Sequence, residues 1–204
     1  MHEVEWDSTT DVSSQLGALC ALARRPAVVV VKFPGAATGT APAWAELEAW
    51  TRSRAVTVAD VTGPIASPEL DIALCSDLVY LRTCAALVMP PAHDPLTAGL
   101  LWSLGRAGRA AVAHCLLDSR TLAPDEAVRL GLAHAVAAAD VSLPLPRPHS
   151  LAALVAVRDL ARARASGRGA LQLELANFRF LFATGDPEEG ARAFLEGRNP
   201  RFEE

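Results

Sequence analysis

The sequence predicts an α/β protein in which parallel strands alternate with helices and a helical region closes the chain. The run Ala27–Phe33 is apolar except for Lys32, which is typical of a strand buried on both faces in a parallel sheet. A second strand is predicted at Ala55–Asp60. The segment between them carries Trp44, Leu47 and Trp50 at helical spacing. This strand–helix–strand order favours a parallel sheet covered by helices.

Size and charge exclude several classes of protein. The chain has 204 residues, of which 51% are hydrophobic and 21% charged, as in a compact domain rather than a disordered chain. A net charge of −4 gives no electrostatic case for binding nucleic acid or an anionic membrane. The N-terminus lacks the apolar core of a signal peptide, and no apolar run approaches the ~20 residues of a membrane span. We therefore expect a cytoplasmic protein.

The cysteines and histidines are scattered along the chain. None of Cys20, Cys75, Cys84 and Cys115 forms a Cys-x-x-Cys pair, and most lie inside apolar segments. They are interpreted as buried free thiols rather than as a disulfide or metal framework. The five histidines do not cluster either, so no metal site is predicted.

Proline and glycine residues mark where several of the remaining helices and loops begin and end. A helix at Leu16–Ala23 ends at Arg24-Arg25-Pro26, and a loop of small residues spans 34–42. Pro124, followed by two acids, opens a helix that Gly131 closes. Further strands are predicted at 78–81, 85–89 and 134–136, and further helices at 69–77, 97–104, 109–117, 150–165, 170–182 and from 186.

A proline-rich stretch at 143–148 separates two regions of one domain. Residues 1–142 are predicted to form the α/β core. Residues 143–204 are predicted to form a helical C-terminal region joined to the core by this linker.

The segment from Val61 to Asp77 is the most informative about function. An apolar strand ends, a tight turn follows, and an apolar helix begins near Pro68. A loop that leads into a helix presents backbone N–H groups, and enzymes use such groups to hold a developing oxyanion. Proline has no N–H to donate. The segment therefore predicts an oxyanion site from which one donor is missing.

Four stretches, in order and with their spacing, resemble the crotonase (enoyl-CoA hydratase/isomerase) superfamily. The first is the helix, basic turn and strand of Trp44–Gly63. The second is Ile72-Ala73-Leu74-Cys75-Ser76-Asp77-Leu78-Val79-Tyr80. The third, Leu116–Val136, contains Arg120-Thr121-Leu122, Glu126-Ala127 and Gly131-Leu132, and the fourth is the tail Glu189–Phe202.

The resemblance implies a ClpP/crotonase ββα spiral whose helical C-terminal region makes trimer contacts, giving a homotrimer or hexamer. It implies an acyl-thioester substrate carried on coenzyme A or on the phosphopantetheine arm of an acyl carrier protein, with no resident cofactor. Two backbone N–H groups would polarise the thioester carbonyl and stabilise an enolate. Hydration, dehydration, isomerisation or decarboxylation would follow from the acid or base nearby.

The resemblance also locates the oxyanion donors. The first would come from the loop that holds Ala37 and Thr38. The second falls on Pro68 when the sequences are matched without gaps, or on Ser67 or Glu69 after a shift of one residue. Ser67 has an alternative interpretation as the N-cap of the helix. The loop after the first strand is shorter than in the family, so the lobe that covers coenzyme A is largely missing, which is compatible with a carrier-protein-bound or otherwise unusual substrate.

The acid and base are assigned in the same way. The family's hydratases use two glutamates, of which the first falls on Asp71 and the second near Pro91. His93 and Asp94 lie close to the second position and are candidates for its role. The alternative interpretations are structural. Asp71 would satisfy N–H groups of the first helical turn, Asp94 would start a turn, and His93 would be exposed.

Three functions remain open from the sequence. The first is a divergent enzyme of enolate chemistry, acting as a hydratase, isomerase or decarboxylase in secondary metabolism such as polyketide biosynthesis. The second is an inactive homologue that assembles with an active partner and supports it, which Pro68 and the missing glutamates favour. The third is cofactor-free chemistry unrelated to thioesters.

Overall fold

The computed structural model describes residues 1–35, 44–90, 107–108, 110–111, 113–115, 117–145, 150–162, 176, 179–180, 182–183 and 185–202. The chain divides into two units, Met1–Pro144 and Leu145–Glu204. None of the helices within the described ranges is long and apolar enough to cross a membrane.

The first unit is built on two sheets. In chain order the described strands are β1 (His2–Glu5), β2 (Val28–Phe33), β3 (Val56–Val61), β4 (Pro64–Ile65), β5 (Leu78–Arg82), β6 (Ala86–Val88), β7 (Thr121–Leu122) and β8 (Ala135–Ala137). The larger sheet has the order β1-β2-β3-β5-β8, and all of its neighbouring strands are parallel. The smaller sheet has the order β4-β6-β7. The parallel α/β arrangement predicted from the sequence is confirmed.

Helices follow the strands, as the alternating pattern predicted. They are α1 (Val12–Leu22), α2 (Trp44–Thr51), α3 (Glu69–Leu74) and α4 (Pro124–Arg129). The described residues between 107 and 118 are also helical, in agreement with the helix predicted at 109–117. Gly131 follows α4 with φ +77°, which explains why a glycine ends this helix. The helix predicted at 97–104 lies outside the described residues.

The core forms between one face of the larger sheet and the helices. Alternate residues of the central strands, among them Val31 and Ala59, join buried side chains of α1, α2 and α3. Trp50 is completely buried, and its indole N–H donates to Ser76 Oγ at 3.3 Å. All six residues of β3 and five of the six in β2 are buried. Burial on both faces explains why these strands lack a polar alternation.

Three strands were not predicted. β1 was interpreted only as an acidic terminus, because Val4 is the single apolar residue within it. It pairs with β2, and Lys32 contacts Glu3 across the pair at 2.9 Å. β4 and β7 have two residues each, too few to show a period, and were predicted as a turn and a helix start.

The described part of the second unit is helical. It contains α5 (Leu151–Arg162) and α6 (Asp186–Glu196), and the Ser150 hydroxyl donates to the Asp186 carboxylate. After α6, Arg198 donates through Nη1 and Nη2 to the two carboxylate oxygens of Glu189, at 2.6 and 3.1 Å. The side-chain hydrogen bonds from Arg198 lower the pKa of Glu189 to about 2. This contact fixes the chain that leaves the helix.

Candidate active site

The loops that leave β2 and β3 lie against each other. A Cβ added at Gly63 would lie 2.2 Å from the carbonyl oxygen of Pro34, and one at Gly35 would lie 3.0 Å from the carbonyl oxygen of Pro64. Gly35 has φ +114°, a conformation that side chains rarely permit. Thr62 fastens the two loops, because its N–H and its hydroxyl both donate to the Phe33 carbonyl, at 2.9 and 3.1 Å. We call this contact the glycine corner.

Five residues separate Gly63 of the glycine corner from the first residue of helix α3. β4 and Ala66 connect the two, and the Ser67–Pro68 peptide bond is cis. Pro68 is the N-cap residue, with no side-chain cap hydrogen bond. The interpretation of Ser67 as the N-cap is therefore wrong. Its hydroxyl donates to a side chain of α3 instead of accepting from the backbone.

Asp71 and Ser67 form a close side-chain pair. Ser67 Oγ donates to Asp71 Oδ2 at 2.6 Å, a short bond as expected for a hydroxyl on a carboxylate. Asp71 is only 2% exposed, whereas Ser67 is partly exposed. Glu69 precedes Asp71 in the same turn and is 1% exposed. The first turn of α3 thus contains two buried carboxylates, one of which holds the hydroxyl of Ser67.

The backbone of this turn limits where an oxyanion could bind. The amide of Leu70 donates to the Ala66 carbonyl at 2.8 Å, and that of Asp71 donates to the Pro68 carbonyl at 3.1 Å. These two amides are used within the turn, and Pro68 has none. The donors expected from the sequence after a shift of one residue, Ser67 and Glu69, remain the candidates.

The other predicted site residues cannot be located relative to this turn. Ala37 and Thr38, expected to supply the first donor, lie outside the described residues. So do His93 and Asp94, expected to supply the second acid or base. The structure therefore brings together Ser67, Pro68, Glu69 and Asp71. Within the described ranges, no three histidine, cysteine, aspartate or glutamate side chains are grouped to hold a metal ion.

A buried ion pair supports the same edge of the sheet and was not predicted. Arg82 at the end of β5 donates through Nε and Nη2 to the Asp60 carboxylate of β3, at 2.8 and 2.9 Å. Its Nη1 donates to the carbonyls of Ala138 and Val141, at 2.8 and 2.6 Å. The hydrogen bonds to Asp60 raise the pKa of the Arg82 guanidinium. The signal in the sequence was Asp60, the one charged residue of the mostly apolar β3.

Cys84 also approaches the glycine corner. Its thiol donates to the Thr62 carbonyl at 2.9 Å, and the residue is exposed. All four cysteines are free, as predicted, and Cys75 and Cys115 are buried. The expectation of burial is wrong for Cys84, which lies at the turn between β5 and β6 rather than inside an apolar element.

Comparisons with known proteins identify the fold. No family model matches the chain, and no curated protein matches it. An enoyl-CoA hydratase subunit I from Geobacillus kaustophilus is similar in structure, with TM-score 0.78 and 21% identity over 94% of this chain and 87% of that one.

Two further solved structures agree with the first. DspI from Pseudomonas aeruginosa has TM-score 0.78 and 22% identity, over 98% of this chain and 88% of that one. An enoyl-CoA hydratase/isomerase from Cupriavidus metallidurans has TM-score 0.77 and 18% identity, over 98% and 89%. The chain therefore adopts the crotonase fold, the fold it shares with proteins of the enoyl-CoA hydratase/isomerase family.

Proposed function

We propose that this chain is a divergent crotonase-fold enzyme that acts on an acyl thioester through an oxyanion-stabilised enolate. The observation that carries the proposal is the glycine corner directly before a helix whose first turn holds Asp71. The two glycines let the loops after β2 and β3 pack backbone against backbone, which holds the turn that leads into α3 at this edge of the sheet. The structural neighbours include an enoyl-CoA hydratase and an enoyl-CoA hydratase/isomerase, which supports the same class of substrate.

Each residue has a role in this proposal. The amides of Ser67 or Glu69, with a second amide near Ala37 and Thr38, bind the oxyanion. Asp71 transfers the proton, assisted by His93 or Asp94. The reaction is a hydration, dehydration, isomerisation or decarboxylation. The acyl group is carried on coenzyme A or on the phosphopantetheine of a carrier protein, in secondary metabolism in the cytoplasm, and the protein has no resident cofactor.

The test is turnover of a panel of unsaturated and 3-hydroxy acyl thioesters, followed by mass spectrometry. We expect Asp71→Asn to lower the rate by about 100-fold or more, because it removes the general acid–base group. His93→Ala should give a smaller loss. The matched control is Asp140→Asn, which removes an exposed carboxylate and should leave the rate unchanged. If Asp71→Asn still turns over the thioesters at the wild-type rate, the role of Asp71 in proton transfer is wrong, although the protein is an enzyme.

A second function is favoured by one specific observation. Pro68 occupies the matched donor position without an N–H, and the amides of Leu70 and Asp71 in the same turn donate to backbone carbonyls. Loss of an oxyanion donor costs about 3 kcal/mol of transition-state stabilisation. On this alternative the chain is an inactive homologue that assembles with a partner enzyme. It predicts that no member of the panel is turned over by the pure protein.

A further inference from the structure

The Ser67–Asp71 pair has the geometry of a nucleophile and its base. An activated serine is recognised by a base within about 2.6–3.2 Å of its hydroxyl. Ser67 Oγ lies 2.6 Å from Asp71 Oδ2 and donates its proton to that oxygen. Ser67 is a partly exposed residue, whereas Asp71 is only 2% exposed.

The usual structural task of a serine at this position is performed by other groups. A serine before a helix ordinarily accepts from an amide of the first turn. Here Pro68 is the N-cap residue, the Leu70 amide donates to the Ala66 carbonyl, and the Asp71 amide donates to the Pro68 carbonyl. Capping therefore does not account for the Ser67 hydroxyl, whose proton is directed to Asp71.

We propose that Ser67 is a nucleophile that accepts the acyl group of a thioester, with Asp71 as its general base. The class of substrate rests on the proposed function, and the reaction goes beyond it, since the carbon–sulfur bond is cleaved. This role belongs to the side-chain oxygen of Ser67, which forms a bond to the substrate, whereas the oxyanion role given above to this residue belongs to its backbone amide. The chain is then a thioesterase within the crotonase fold.

The two steps balance without any further reactant than water. Ser67 Oγ attacks the thioester carbonyl carbon as its proton moves to Asp71. The tetrahedral intermediate expels the thiolate, which takes that proton and leaves as a thiol, and an ester to Ser67 remains. Asp71 then accepts a proton from water as the water oxygen attacks the ester carbonyl. Ser67 leaves as the alkoxide and is protonated by Asp71, and a carboxylic acid is released.

An alkyl fluorophosphonate tests the nucleophile without any thioester. The reagent phosphonylates an activated serine with loss of fluoride, and peptide mass spectrometry locates the modification. We expect labelling at Ser67, complete loss of labelling there in Ser67→Ala, and a reduction of about 100-fold or more in Asp71→Asn. Ser67→Thr keeps a hydroxyl and should recover part of the rate. Ser14→Ala, which removes an exposed hydroxyl of α1, should label like the wild type.

The result that overturns the inference is an unmodified Ser67 in the folded wild-type protein, or equal labelling of Ser67 in Asp71→Asn. Failure of the proposed function is recognised separately in the acyl-thioester panel. If thioesters are hydrated or isomerised and Ser67 stays unlabelled, the proposed enolate chemistry is supported and the role of Ser67 as a nucleophile is wrong. If Ser67 is labelled and the only products are free thiol and carboxylic acid, the role of Ser67 as a nucleophile is supported and the proposed enolate chemistry is wrong.

Discussion

A single guanidinium joins three parts of the chain near the candidate site. Arg82 binds Asp60 in the neighbouring strand and the carbonyls of Ala138 and Val141, and its side chain is only 9% exposed. Removing one member of a buried ion pair leaves the other charged and desolvated. The stability of this edge of the sheet therefore depends strongly on one residue.

We predict that Arg82→Met lowers the free energy of unfolding by about 3–5 kcal/mol, because Asp60 loses its counter-charge inside the protein. Urea unfolding followed by circular dichroism measures the change. Lys32→Met is the matched control, since Lys32 and Glu3 form an exposed pair, with side chains 44% and 47% exposed. Its cost should stay below about 1 kcal/mol. Equal losses in the two variants would contradict this account of Arg82.

At the same scale, the sequence predicted Asp71 as a candidate site residue and missed its hydrogen bond to Ser67. Asp71 was found by matching one short helix to a family pattern. The hydrogen bond between Ser67 and Asp71 was not predicted, because a serine before a helix is equally typical of an N-cap residue. The structure excludes the N-cap role, since Pro68 is the N-cap residue. Asp60 and Arg82 are 22 residues apart, and nothing local in either segment indicates that they meet.

At the scale of elements, the glycine corner fixes the relative position of the loops that follow β2 and β3, the second of which leads into the candidate site. The Cβ of any larger residue at position 63 would meet the Pro34 carbonyl, a backbone atom that cannot rotate away. We predict that Gly63→Ala costs about 1–3 kcal/mol of stability, as overpacking does elsewhere, and reduces turnover. Thermal unfolding and the thioester assay measure the two effects.

Gly17→Ala provides the control for that prediction. Gly17 lies within α1, and an added Cβ there meets nothing within 4 Å. Alanine favours a helix over glycine, so this variant should be about 0.5–1 kcal/mol more stable. If Gly63→Ala behaved like Gly17→Ala, the two loops would not be in the contact described.

The length of an element decided whether the sequence could predict it. The central strands β2 and β3 have six residues each, most of them apolar, and both were predicted within one residue. β4 and β7 have two residues each, so their pairing with β6 depends on contacts far along the chain. Short strands of this kind are specified by tertiary structure rather than by a local pattern.

At the scale of the whole molecule, the helical C-terminal unit carries exposed apolar residues. Phe194 and Leu195 on α6 are both 85% exposed. We propose that this region forms the trimer contacts that the resemblance implies, because large exposed apolar side chains mark association sites. Light scattering should then give a mass near three times the 21.5 kDa of one chain, or a hexamer of that trimer.

The double variant Phe194→Ser with Leu195→Ser should lower that mass toward a monomer, since it removes apolar area from the proposed contact. Leu117→Ser changes an exposed leucine of the first unit, 79% exposed, and should leave the mass unchanged. A monomeric wild-type protein, or an oligomer that resists the double variant, would reject this interface.

The exposed thiol of Cys84 gives the molecule a natural attachment point for a spectroscopic reporter. Cys75 and Cys115 are buried and Cys20 is partly so, which leaves Cys84 as the most accessible of the four thiols to a maleimide dye. Its sulfur touches the carbonyl of Thr62, so the fluorophore would lie beside the glycine corner. A change in the fluorescence of that dye would report the binding of a small molecule near the glycine corner, independently of any reaction that follows.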